Sequence, residues 1–172
     1  MYQNIDDIRQ GARVLVDSNI LLYASSGRSR QCAAFIRRCA TGSIDGVITT
    51  FVLGELCHRW MMEEAVARKF ITGSNPAARL AKAPAVIPQL NDYQRLTTAV
   101  IHGSLHVEAV EREDFLTALQ LQKRHSLMTN DSLLLAVAQR LGIQEIVTAD
   151  RDFGHLQGMQ VYRPRDLTHR DG

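Results

Sequence analysis

Cysteine is scarce in this sequence, and its spacing suits no familiar chemistry. Cys32, Cys39 and Cys57 are odd in number and form no Cys-x-x-Cys pair. That argues against a disulfide framework and a zinc ribbon, and points to buried thiols in a reducing compartment. No stretch approaches the ~18 uninterrupted apolar residues of a membrane-spanning helix. The opening Met-Tyr-Gln-Asn-Ile-Asp-Asp-Ile-Arg-Gln also lacks the apolar run of a secretory leader. A cytoplasmic protein with no membrane partner is expected. A dominant charge is missing too: 20 basic residues against 18 acidic ones leave +2. That balance neither announces nor excludes nucleic acid, which binds where basic residues cluster rather than where they sum. Aromatic residues make up only 6% of the chain, and Tyr23 and Phe153 are the best placed to stack on a base. His102, His106, His125, His155 and His169 have no ligand spacing, and Gly-x-Ser-x-Gly is absent. No repeat or low-complexity tract interrupts the chain.

What is present is an ordinary globular composition, 45% hydrophobic over 172 residues, enough to build one core without staples. The most informative stretch is Arg13 to Ala24. Val14, Leu15 and Val16 form an apolar run that ends at Asp17, as a buried parallel strand does where it opens onto a ligand crevice. Asp17, Ser18 and Asn19 are equally consistent with a plain turn. A helix is predicted from Arg30, with Cys32, Phe35, Ile36 and Cys39 on one face and Gly42 at its stop. A strand containing Val47 and Ile48 then leads into a long helix over 51–67, with Glu55 in its first turns. Residues 68–91 are irregular, with a turn at 72–76 and an extended piece bracketed by Pro84 and Pro88. A helix from Tyr93 to Ile101, a weak strand within 105–110 and a helix over 111–124 follow. Thr129 to Ser132 reads as an N-cap cluster for the next helix, with Gly142 as its C-cap. Ile146 to Thr148 is a strand ending at Asp150, and a last strand falls within 159–162. Strands alternating with helices imply a three-layer α/β/α sandwich on a mainly parallel sheet. The expected layout is a lead-in at 1–12, one domain over 13–165 with a longer helical and irregular region near 68–101, and a tail at 166–172.

Asp17, Glu55, Asp131 and Asp150 each fall at a strand end or in the first turns of a helix. In an open parallel sheet those positions share one edge, where ligands bind. Carboxylates gathered there raise one another's pKa unless a cation is present. Oxygen ligands without His or Cys favour Mg²⁺ or Mn²⁺ over Zn²⁺. One or two such ions activate a water and stabilise the leaving oxygen of a phosphodiester. Asn19 and Thr148 are candidates to orient the carboxylates. Taken singly, each acid also has a bland reading as a helix-end charge or a turn former.

The pieces Val-Leu-Val-Asp-Ser-Asn-Ile-Leu-Leu-Tyr (14–23), Gly-Glu-Leu (54–56), Asn-Asp-Ser-Leu-Leu-Leu-Ala-Val-Ala (130–138) and Ile-Val-Thr-Ala-Asp-Arg-Asp-Phe (146–153) occur in an order that resembles the PIN-domain nucleases. That family includes the toxins of VapBC-type toxin-antitoxin pairs. The resemblance implies a Mg²⁺- or Mn²⁺-dependent endoribonuclease with Asp17, Glu55, Asp131 and Asp150 as its acidic quartet and Asp152 as a supporting residue. It also implies an RNA substrate and a small antitoxin partner. Arg28, Arg30, Arg37 and Arg38 then suggest a phosphate-binding rim, although a solvated helix face explains them as well. Arg59, Arg68 and Lys69 invite the same pair of readings.

Other functions stay open at this level. A housekeeping RNA-processing enzyme or a non-catalytic PIN-like module that binds RNA or protein accounts for the same motifs. A receiver-like phosphoacceptor domain lacks the required late-strand Lys. Glu55 and His58 form the Glu-x-x-His pattern of di-iron bundles, but no second pair exists. The apolar stripe of the 51–67 helix and the 80–101 region suggest a homodimer.

Overall fold

The computed structural model describes residues 2–156 and 158–167. Its six strands are β1 (Gln3–Asn4), β2 (Arg13–Val16), β3 (Asp45–Thr49), β4 (His106–Glu108), β5 (Glu145–Val147) and β6 (Gln160–Arg163). They form one sheet in the order β1-β6-β5-β2-β3-β4, with every neighbouring pair parallel. Among the described residues, seven α-helices connect them: α1 (Ser18–Ser25), α2 (Arg30–Ala40), α3 (Thr50–Ala67), α4 (Pro76–Ala81), α5 (Asp92–Ile101), α6 (Arg112–His125) and α7 (Thr129–Leu141). Val14, Leu15 and Val16 are all fully buried. Successive strand residues point to opposite faces, so both faces of β2 are covered and the α/β/α layering follows.

β2 lies at the centre, with β3 on one flank and β5 on the other. The chain leaves β2 towards β3 and β4, then returns to β5 on the opposite flank. Strand order therefore reverses between β2 and β5, the place where an open parallel sheet forms a crevice beyond its carboxyl ends. α6 and α7 run antiparallel: Gln122 Nε2 donates to Ser132 Oγ at 3.2 Å and Arg140 Nε to Asp114 Oδ1 at 2.9 Å. Gly142, at φ +67°, closes α7 in the left-handed conformation that glycine adopts without strain.

Several stretches depart from the sequence reading. The lead-in is part of the sheet, because β1 pairs with β6 and Ile5 and Ile8 are 0% and 2% exposed. Burying each of those side chains contributes on the order of 2 kcal/mol, more than a two-residue strand could hold by pairing alone. The piece between Pro84 and Pro88 is not extended. Pro84–Gln89 is a 3-10 helix with Val86 N–H on Ala83 O at 3.0 Å, a conformation that the fixed φ of proline permits. The turn expected at 72–76 is present and leads into α4, with Asn75 in the left-handed conformation accepting from Ala78 N–H at 3.2 Å and Pro76 in the first turn of the helix. Met128, not the Thr129–Ser132 cluster, occupies the N-cap position of α7.

The apolar stripe on α3 is spent inside the chain. Val52, Leu56 and Trp60 are buried, and Trp60 Nε1 donates to Ser25 Oγ at 3.0 Å. Leu80, Leu90 and Tyr93 are buried as well, so much of the apolar surface behind the homodimer expectation lies in the chain's own core, while Val66 and Ile101 stay about half exposed. The expected tail begins with a structural residue. Asp166 accepts from Ser29 Oγ at 2.6 Å and Gln31 N–H at 3.1 Å, fastening the start of α2. Residues 168–172, His169 among them, lie outside the described residues.

Candidate active site

Asp17 occupies the N-cap position of α1, yet its side chain makes no capping bond. An Asp there ordinarily caps the helix and stabilises it by about 1 kcal/mol. Here the carboxylate turns across the sheet. Its Oδ2 accepts from Thr148 Oγ1 at 2.6 Å and Asn19 Nδ2 at 2.6 Å, and its Oδ1 from Ser18 Oγ at 3.3 Å. All three donors are neutral. The plain-turn reading of the triplet does not account for that orientation.

Thr148 is fully buried just past β5, and its hydroxyl also accepts from Asp150 N–H at 2.9 Å. Asn19 Oδ1 accepts from Ala149 N–H at 2.9 Å, and Asp150 Oδ1 accepts from Asp152 N–H at 3.0 Å. One continuous set of hydrogen bonds thus joins the end of β2 to the loop after β5, through Asn19 and Thr148. Glu55 reaches the crevice from α3, whose start is capped by Thr49 Oγ1 accepting from Val52 N–H at 3.1 Å. One turn along α3, Arg59 lies 3.6 Å from the Glu55 carboxylate. Asp131 comes from the first turn of α7. Asp17, Glu55 and Asp131 line one cleft, together with Thr49, Phe51, Val52, Asn130 and Leu134.

The electrostatics carry the mark of crowded like charge. Burial first, then the charges of Asp150, Asp17, Asp152 and Glu55, push the Asp131 carboxyl up to about 6. A carboxylate near a helix N-terminus is normally favoured by the helix dipole, so repulsion and burial win at this position. Asp17 also lies above the usual 3.8. Burial is the main cause and the charge of Glu55 adds to it, against hydrogen bonds from Thr148 and Ser18. A hard-oxygen donor set with more negative charge than Arg59 beside Glu55 offsets suits a divalent cation. Among the described residues, no three His, Cys, Asp or Glu side chains stand close enough together to hold one ion by themselves. An ion here would take part of its coordination from water, as Mg²⁺ commonly does.

None of the four rim arginines is among the residues that line the cleft. Arg38 donates to the backbone carbonyls of Asp6 and Ile8, tying α2 to the N-terminal segment. Arg28, Arg30 and Arg37 are exposed, and none lines the cleft. Arg68 is structural, bound to Glu64 at 3.1 Å and Gln89 O at 2.6 Å. Phe153 is fully buried and unavailable for stacking, and Tyr23 is half-buried. Phe51 and Asn130 line the cleft unforeseen. The signal for Phe51 was its position at the start of the helix that follows a strand, two residues beyond the end of β3.

The architecture has relatives among solved structures. It is similar to a toxin-antitoxin complex from Klebsiella pneumoniae, at 19% identity and TM-score 0.57, covering 85% of this chain and 94% of that one. It is also similar to VapBC2 from Rickettsia felis bound to a promoter DNA fragment, at 12% identity and TM-score 0.57, covering 88% and 98%. A third is VapC20 of Mycobacterium tuberculosis, a sarcin-ricin loop cleaving toxin, at 18% identity and TM-score 0.52, covering 82% and 92%. No curated protein matches the sequence. The family model of the PIN domain matches residues 14–158, which include all four acids at the end of the sheet. The chain belongs to the PIN domain family.

Proposed function

We propose that the protein is an endoribonuclease dependent on Mg²⁺ or Mn²⁺ and the toxin of a toxin-antitoxin pair. The observation that carries this reading is the meeting of Asp17, Glu55 and Asp131 on one cleft, with Asp150 and Asp152 adding their charge to Asp131. Membership of the PIN domain family and the toxin-antitoxin proteins among its structural relatives support it. Asp17, Glu55, Asp131 and Asp150 would hold the cation. When bound, the cation lowers the pKa of a water and offsets charge on the phosphodiester.

The chain's own residues supply orientation. Thr148 and Asn19 hold Asp17 with two 2.6 Å hydrogen bonds and tie the Asp150 loop to it. Arg59, beside Glu55, is the basic group placed to meet a phosphate near the acids. Phe51 offers an apolar wall to a base. The reaction is hydrolysis: a water oxygen bonds to phosphorus as the bond to the leaving oxygen breaks. The substrate is RNA, and a small antitoxin is the proposed protein partner.

The test is cleavage of a mixed RNA by wild type and Asp17→Asn at matched folding, with Mg²⁺, Mn²⁺ or EDTA. Cleavage that needs the metal and Asp17, with growth arrest on expression that also needs Asp17, is expected. A folded wild type that leaves every RNA intact in both metals overturns the nuclease reading.

A further inference from the structure

The loop that carries Asp150 and Asp152 is held from its outer side by residues absent from any acid motif. Tyr2 stands immediately before β1, which pairs with β6 in the register Asn4↔Arg163. Its phenol donates to the Arg151 carbonyl at 2.5 Å, between the two aspartates. The guanidinium of Arg163 stacks over the Tyr2 ring at 4.7 Å, and one of its amino groups donates to the Ala149 carbonyl at 2.5 Å. Arg163 Nε is buried without a hydrogen-bond partner, a costly state that is offset by these two contacts. The fit is close. A Cβ at Gly154 would stand 2.1 Å from the Tyr2 oxygen and 2.5 Å from Cζ, so only glycine lets the 3-10 turn Asp152–His155 lie against the phenol.

On the inner side, Asn19 and Thr148 bind the N–H groups of Ala149 and Asp150. The peptide from Ala149 to Arg151 is therefore gripped from both sides: two N–H groups by Asn19 and Thr148, two carbonyls by Tyr2 and Arg163. Tyr2 and Arg163 both lie outside the family match over 14–158. We propose that Tyr2 and Arg163 are positioning residues of the candidate active site, an outer clamp that sets where Asp150 and Asp152 stand relative to Asp17. The N-terminal segment is on this account part of the working site rather than an appendage. The proposal rests on the nuclease reading for the reaction it serves.

The test compares wild type, Tyr2→Phe, Tyr2→Ala and Arg163→Met. Phe keeps the ring under Arg163 and removes only the bond to Arg151; Ala removes both. Three quantities are read: amide hydrogen exchange of residues 149–154, Mn²⁺ affinity by calorimetry, and kcat and KM for Mn²⁺-supported RNA cleavage. Faster exchange in the loop with an unchanged sheet, and Mn²⁺ affinity and kcat lower by about tenfold at unchanged KM, are expected for Tyr2→Ala and Arg163→Met. Tyr2→Phe falls between them and wild type. Should Arg163→Met fail to fold, the Tyr2 pair decides. A wild type that cleaves RNA, with Tyr2→Ala matching it in Mn²⁺ affinity and kcat, overturns the clamp and leaves the nuclease reading intact. A wild type that binds Mn²⁺ without cleaving RNA, with weakened binding in Tyr2→Ala, overturns the nuclease reading and keeps the clamp. A wild type that neither binds nor cleaves overturns both.

Discussion

Thr148 and Asp17 stand 131 positions apart in the chain and are joined by a 2.6 Å hydrogen bond across the β2–β5 pair. The same hydroxyl accepts from Asp150 N–H, so one buried oxygen sets two of the four acids. Thr148→Val keeps the shape and removes both bonds, together with the one that the hydroxyl accepts from Asn19 Nδ2 at 3.2 Å. Leaving the Asp150 N–H unpaired costs about 1–3 kcal/mol. Cleavage by the metal-loaded protein is expected to fall by about tenfold or more. Thr148→Ser restores most of both. Equal melting temperature and cleavage rate in Thr148→Val and wild type refute this account of the hydroxyl.

Asp131 makes the metal-free protein sensitive to pH in a particular direction. Its carboxyl titrates at about 6 in the folded chain, against a reference value of 3.8. Between those values the folded state binds more protons than the unfolded one, so its contribution is complete below pH ~4 and is lost as pH rises through ~6. In EDTA, thermal stability of wild type should decline over that window, and Asp131→Asn should flatten the decline. Saturating Mg²⁺ should also oppose it, because a cation favours the ionised carboxylate. A wild-type profile in EDTA identical to that of Asp131→Asn counts against the crowding described here.

Glu64 behaves in the opposite sense. Burial pushes its carboxyl up, but hydrogen bonds from Asn91 N–H at 2.9 Å, Tyr93 N–H at 3.0 Å and Arg68 at 3.1 Å prevail and hold it below the usual 4.5. Its contribution is present above pH ~4.5 and is lost as pH falls below that value. Glu64→Gln should destabilise the protein by about 1–3 kcal/mol at neutral pH. It should also reduce the loss of stability on acidification. Melting curves from pH 3 to 7 separate this from the Asp131 effect, since the two slopes have opposite signs.

Asp114 and Arg140 provide a control, since neither lines the cleft. Asp114 is buried and accepts from Arg140 Nε at 2.9 Å and from Glu111 N–H at 2.8 Å. Arg140 also meets Glu108 at 2.8 Å, binding β4, α6 and α7 together. Asp114→Ala removes a buried acceptor and leaves the Glu111 N–H unpaired, while the exposed Arg140 keeps Glu108; it should cost about 1–3 kcal/mol. Mn²⁺ affinity of the fraction that remains folded should not change. A fall in affinity in that fraction would mean that this network also shapes the cleft.

Much of the acid site was legible because carboxylates at strand ends interrupt apolar runs. Asp17 after Val14–Val16 and Asp150 after Ile146–Thr148 stand out as polar punctuation of strands that are otherwise buried. Glu55 and Asp131 were legible from the helix starts that follow loops. The arginines and aromatics around them were not. Arg38 is drawn to the Asp6 and Ile8 carbonyls and Phe153 into the core, outcomes that depend on neighbours remote in the chain. The Pro84–Pro88 piece was misread because proline's φ suits a 3-10 turn as well as an extended chain.

The alternation of apolar runs and amphipathic helices was enough by itself to require a covered parallel sheet, since each strand must bury both faces and each crossover needs a helix. That also places the acids at the carboxyl edge. Strand order lies beyond that pattern. Only tertiary packing put β5 beside β2, which let Thr148 reach Asp17, and drew the first residues in as an edge strand beside β6. Hydrogen bonds such as Tyr2 to Arg151, across 149 positions, leave no local periodicity, because they are chosen by the surfaces that meet after the core has formed.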